Sequence, residues 1–248
     1  MAGKALLRLA RADKETAEIS GSAKTGTACA IYTNVPSCEH SQPRDEAKGS
    51  WGGLRNSALR TSEVLNDRQV EALLEAARYA IAAGRVFQRH WTIHYGKAGI
   101  APQDGARFVS KLLDQVSKQA KREGGEMTAL WVRERASGKG EHLHVLLHLP
   151  AAMRLQGRTR RWIVAAGGNW QPGISKVRII GGRLSKGNGN CEAVVRENAA
   201  NVVRYLLKAA DSETGERLSL PKSGKGGTII GKRCGWTQNI GRRARKDS

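Results

Sequence analysis

The stretch Gly140 to Pro150, GEHLHVLLHLP, constrains the fold of this chain more than any other. Successive side chains of a β-strand point to opposite faces, so His142 and His144 share one face while Leu143, Val145, Leu147 and Leu149 line the other. Such a strand belongs in a sheet with one face in a core and a second face available to chemistry. The Cα atoms of the two histidines then lie roughly 7 Å apart, a span across which two imidazoles can converge on one divalent ion. His148 falls about 13 Å beyond His144 by the same rise, too far to join them.

The flanking segments supply the rest of a sheet. Phe87 to Tyr95 alternates, with Phe87, Trp91, Ile93 and Tyr95 on one side and Gln88, His90, Thr92 and His94 on the other. Asp104 to Lys121 sets Val109, Leu112, Leu113, Val116 and Ala120 on a helical stripe that ends at Gly124 and Gly125. Met127 to Arg135 reads as a second strand, and Ala136 to Glu141 turns it back as a hairpin into the histidine strand. A helical pattern over Ala151 to Ala166 and an alternating segment, Ser175 to Gly181, with Lys176 and Arg178 opposite Val177 and Ile179, follow. Cys191 to Ala210 reads as a helix.

In order, the elements are β-α-β-β-α-β plus a helix. The expected class is α+β, a ferredoxin-like split βαβ arrangement whose two crossover helices cover one face of an antiparallel sheet and leave the other open. Its first and third strands are central, so His90, Thr92 and His94 neighbour His142 and His144, with Lys176 and Arg178 alongside. Residues 1–58 show no sustained period and are expected to be disordered, 59–84 an accessory helix built on Thr61 to Ala83, 85–212 the functional domain and 213–248 a basic tail.

Charge selects the partner. The chain carries a net +20, with +1 over residues 1–50 and +8 over 217–248, and eight basic residues but no acidic one between 150 and 190. A surface of one sign calls for a polyanion, hence nucleic acid. No helix pairs a basic face with a strongly apolar one, and no apolar run approaches the roughly 20 residues that span a bilayer, so no membrane partner and a cytoplasmic location are expected. The four cysteines form no C-x-x-C; Cys29, Cys38 and His40 are too scattered for a structural zinc site.

The last helix adds a second pattern. Val195, Ala199, Val202, Val203 and Leu206 fall within one sector of about 100°, while Asn198, Asn201, Tyr205 and Lys208 share another. A phenol with an ammonium three residues on, beside a His-x-His sheet, is a candidate nucleophile. A tyrosine hydroxyl titrates near 10 and attacks poorly at neutral pH unless its developing phenolate is stabilised. A divalent ion held by His142 and His144 can polarise a phosphate, and Lys208 can offset charge on phenolate or phosphate. An open sheet face with aromatics and cations suits unstacked, single-stranded nucleotides.

His142-Leu143-His144 resembles the HUH motif, Tyr205-Leu206-Leu207-Lys208 resembles the Y-x-x-K motif, and Arg89 to Tyr95 resembles the strand preceding them in the HUH single-stranded DNA endonucleases of the rolling-circle replication initiator (Rep) type. The resemblance covers about residues 85 to 210 and implies site-specific nicking and rejoining of single-stranded DNA. It further implies Mg²⁺ or Mn²⁺, a 5′-phosphotyrosyl intermediate on Tyr205, origin or hairpin recognition, and a third, acidic metal ligand before the triplet. Glu134 matches by position, although strand parity sets it with Leu130 and Val132; Glu141 is the alternative. His90, Thr92, His94, Lys176, Arg178 and Asn201 are the expected DNA contacts. A single tyrosine after the histidines fits single-tyrosine initiators; a transposase of the same chemistry and a non-catalytic single-strand binder are the alternative functions. Gly226 to Arg233, GGTIIGKR, falls one residue short of a P-loop, with Arg233 where Ser or Thr should ligate Mg²⁺, so strand separation would fall to a host helicase.

Overall fold

The computed structural model describes residues 59–180, 191–220 and 226–246, all within one unit, Gly49–Ser248. The expected disorder of 1–58, and with it Cys29, Cys38 and His40, lies outside the described residues. Around β1 (Thr61–Ser62) and β6 (Ile229–Ile230), a two-stranded ribbon, stand α1 (Asp67–Ala82), β2 (Arg89–His94), α2 (Gly105–Arg122), β3 (Thr128–Ala136), β4 (Gly140–His148), α3 (Thr159–Ala165), β5 (Ser175–Ile179) and α4 (Cys191–Leu206). After them come α5 (Ser212–Arg217), β7 (Cys234–Trp236) and α6 (Arg242–Lys246). The main sheet has five strands in the order β5-β2-β4-β3-β7, every neighbouring pair antiparallel. The first four form the split βαβ arrangement, and β7 extends it beyond β3. No helix among the described residues is long and apolar enough to cross a membrane.

Alternation builds two cores, one on each face. Trp91, Ile93, Tyr95, Trp131, Leu143, Val145 and Leu147 pack under the apolar stripe of α2 (Phe108, Val109, Leu112, Val116) and under Trp162 and Ile163 of α3. This is the helix-covered face that the sequence implies. The other face departs from expectation because it is not open. Leu130, Val132 and Leu146 pack there against Val70, Leu73, Ala76 and Ala80 of α1 and Ala199, Val203 and Leu206 of α4. The segment expected as an accessory helix is thus half of a second core, started by a capping box between Asn66 and Gln69 and stopped at Gly84, whose φ is +73°. Phe87 belongs to this second core too, since it precedes β2 and escapes the strand's alternation. The β3–β4 turn is also tighter than expected, with residues 137–139 alone between Ala136 and Gly140.

The described part of the expected basic tail, 213–248, is folded into the domain. β7 hydrogen-bonds to β3 through the pairs Leu130–Trp236, Trp131–Gly235 and Val132–Cys234, and Arg245 of α6 reaches Glu75 of α1. Gly226 and Gly227 lie against other backbone segments. A Cβ on either would lie 2.6 Å or less from the backbone oxygens of Glu63 or Arg135, so the residues are glycine because two chain segments meet there. Arg233 is buried, donating to Ser62 and to the carbonyls of Gly226 and Gly227, and burial pushes its pKa down to about 10.

Arg133 is fully buried on the α2 face. Its guanidinium holds Glu141 at 2.6 and 2.8 Å and donates to the carbonyls of Pro102, Ile230 and Lys232. Burial raises the Glu141 carboxyl above its usual range, against the pull of Arg133. Removing one member of a buried ion pair strands the other charge. Arg133→Met is therefore expected to lower the unfolding free energy by about 3–5 kcal/mol in urea denaturation. Arg133→Met/Glu141→Leu should recover the share due to the stranded carboxylate; a double variant no more stable than the single one would contradict that origin.

Candidate metal centre and tyrosine

The β3–β4 pairing sets Glu134 directly opposite His142, and the two-residue period then brings His144 to the same face. Glu134 Oε1 lies 2.6 Å from His142 Nε2 and 3.0 Å from His144 Nε2, and all three side chains are buried. The strand parity that grouped Glu134 with Leu130 and Val132 is correct. That face is apolar in its middle, at Leu130, Val132 and Leu146, where α1 and α4 cover it, and polar at the end near the β3–β4 turn. Glu141, the alternative ligand, points through the sheet to Arg133 and has no part in this cluster.

One ligand atom from each of Glu134, His142 and His144 can be chosen so that all lie within 4.8 Å of one another, the one such cluster of metal-ligating side chains among the described residues. A carboxylate and two imidazoles form a donor set suited to a divalent ion. The second nitrogen of His142 supports the fit, since Nδ1 faces the Gly140 carbonyl at 3.2 Å. A proton on Nδ1, donated to that carbonyl, leaves the Nε2 lone pair of His142 directed at the cluster, where a cation would be held. The cluster can hold a metal ion.

From β2 come three further polar residues. Thr92 pairs with His144 and His94 with His142 across the β2–β4 ladder. Thr92 Oγ1 lies 3.2 Å from His144 Nδ1, and the His94 and His142 rings have centroids 5.5 Å apart. His90, an expected DNA contact, is buried, with Nε2 at 3.0 Å from His144 Nδ1. Burial, then the charges of His144, Arg178 and Lys208, push its pKa down to about 4. Lys176 and Arg178, opposite Thr92 and His90 on the edge strand β5, are exposed.

α4 carries Tyr205 over the cluster. The residue is 45% exposed, and its ring stands edge-on to His144 and His90, with centroids 6.1 and 6.4 Å away. Lys208 sits in a 3₁₀ turn, Leu207–Ala209, directly after the helix. Its ammonium donates to Glu134 Oε1 at 2.8 Å and to the Tyr205 hydroxyl at 2.9 Å, linking phenol and carboxylate. Burial alone would raise the Glu134 pKa; the bonds from His142, His144 and Lys208 prevail and hold it far below the usual carboxylate range. The same bond to Glu134 outweighs burial at Lys208 and raises its pKa. Asn201, one turn before Tyr205, is exposed.

Sequence reasoning missed the pairing of His90 and Thr92 with His144. The alternation of β2 already placed both on the site face, and the register with β4 was the missing coordinate. Comparison with family models, with curated proteins and with solved structures gives no match. What the site can do therefore follows from its own donors: bind a divalent cation and present a phenol beside it.

An ammonium and a dication compete for Glu134 Oε1. In Mn²⁺ titrations, Lys208→Met is expected to tighten binding about tenfold, whereas Glu134→Ala weakens it on the order of a hundredfold. Weaker binding in Lys208→Met would mean that the ammonium supports the ion rather than opposing it.

Proposed function

We propose that this protein nicks and rejoins single-stranded DNA, as a metal-dependent endonuclease of the rolling-circle initiator type that its HUH-like and Y-x-x-K-like segments resemble. The observation that carries the reading is the shared ammonium: Lys208 ties the Tyr205 hydroxyl to the carboxylate of the Glu134–His142–His144 cluster. A Mg²⁺ or Mn²⁺ ion held by these three residues would supply a Lewis acid for a non-bridging oxygen of the scissile phosphate.

The chain's own residues account for the remainder. Tyr205 Oη attacks phosphorus and gives its proton to solvent; the bond to the 3′-oxygen breaks, and that oxygen takes up a proton as the leaving hydroxyl. Lys208 lowers the cost of the phenolate that develops on Oη. The product is a 5′-phosphotyrosyl ester, and attack by a 3′-hydroxyl reverses the step and rejoins the strand. Lys176 and Arg178 stand exposed at the sheet edge beside His90 and are suited to phosphates of an incoming strand. The half-exposed phenol can reach an unpaired strand, as in an origin or hairpin loop, better than the inside of a duplex, so a host helicase would open the DNA.

The test uses 3′-labelled single-stranded oligonucleotides tiling the DNA beside the coding region, incubated with the full chain and Mn²⁺. A covalent, protease-sensitive adduct is expected, abolished by chelator and by His142→Ala and reduced roughly a thousandfold or more in Tyr205→Phe. An adduct unchanged in Tyr205→Phe would place the nucleophile elsewhere. Salt-sensitive binding without any adduct would leave a non-catalytic single-strand binder.

A further inference from the structure

We infer that His90 is a positioning residue, the acceptor that holds His144 in the tautomer able to ligate a metal ion. The inference rests on the metal centre above but not on DNA cleavage. A neutral imidazole has one N–H and one lone pair, so His144 can offer its Nε2 lone pair to a cation only while its proton sits on Nδ1. A proton on Nδ1 in a buried site needs an acceptor.

The two metal-ligand histidines solve this differently. His142 points Nδ1 at the carbonyl of Gly140 on its own strand, 3.2 Å away, and a carbonyl can only accept. Among the described residues, no such carbonyl is a hydrogen-bond partner of His144. Its Nδ1 faces His90 Nε2 at 3.0 Å and, more distantly, Thr92 Oγ1 at 3.2 Å. With its own proton on Nδ1, His90 presents an acceptor at Nε2, and burial plus ring contact with His144 and Tyr205 fix where that lone pair points. A threonine hydroxyl rotates and can also donate, so it selects the tautomer less firmly. His90 thus does for His144 what a backbone carbonyl does for His142.

Mn²⁺ affinity, read from the electron paramagnetic resonance signal of free Mn²⁺, and thermal midpoints without metal separate positioning from scaffolding. His90→Phe keeps a ring but no acceptor, and is expected to bind Mn²⁺ about 10- to 100-fold more weakly with an unchanged or higher thermal midpoint. His90→Gln, whose side-chain oxygen can reach the Nε2 position, should restore affinity to within a few-fold, and Thr92→Val should cost less than His90→Phe. Mn²⁺ binding by His90→Phe within twofold of the parent, or a loss that His90→Gln does not rescue, would overturn the role. If the parent itself binds no Mn²⁺, the metal centre and this inference fall together. If the His90 effect appears while no oligonucleotide adduct forms, the positioning role stands and the endonuclease reading fails.

Discussion

The site depends on one alignment, the register of β3 against β4. In that register Glu134 meets His142 on one face while Arg133 reaches Glu141 on the other. Because side chains alternate along a strand, a slip of one residue would turn Arg133 toward the histidines and Glu134 into the α2 core. Two charged pairs that lie back to back through the sheet therefore oppose the same error from both faces. Neither pair could be relocated without leaving a buried charge unmatched.

Burial of so many ionisable groups is costly, and the fold offsets the cost locally. Glu134 stays ionised because His142, His144 and Lys208 all approach one of its oxygens. Arg133 satisfies three carbonyls from segments far apart in sequence, tying the turn before α2 and the ribbon strand β6 to the centre of the sheet. The rest of this face is covered by α1 and α4, which is why the face that holds the cluster also carries leucines.

Strand alternation made much of this legible. It placed His142, His144, His90, Thr92 and His94 on one face and gave the order of four strands and two crossover helices, but it set Glu134 with Leu130 and Val132 without showing that those residues share the face of the histidines. It could not show which sheet face the stripes of α1 and α4 would cover, because an amphipathic helix records that it is buried and not against what. β7 escaped notice because three residues carry no period, and its neighbours Lys232 and Arg233 look like solvated charge until Arg233 is seen wrapped in carbonyls. The tie between His90 and His144 was hidden for a related reason: it lies across strands, in a register that no single segment encodes.

The turn that carries Lys208 is fastened separately from the helix that carries Tyr205. Leu207 and Ala209 are buried on either side of the lysine, and Leu65 bonds to the backbone of Ala209 and Asp211, joining the turn to the segment before α1. Tyr205 hangs from the last turn of α4 and leans outward. In mechanical terms the ammonium is riveted to the frame and the phenol is mounted on an arm. A tilt of α4 would alter the gap between hydroxyl and ammonium, whereas the distance from ammonium to carboxylate is set by the turn, so the phenol and the Glu134–His142–His144 cluster are held by different parts of the frame.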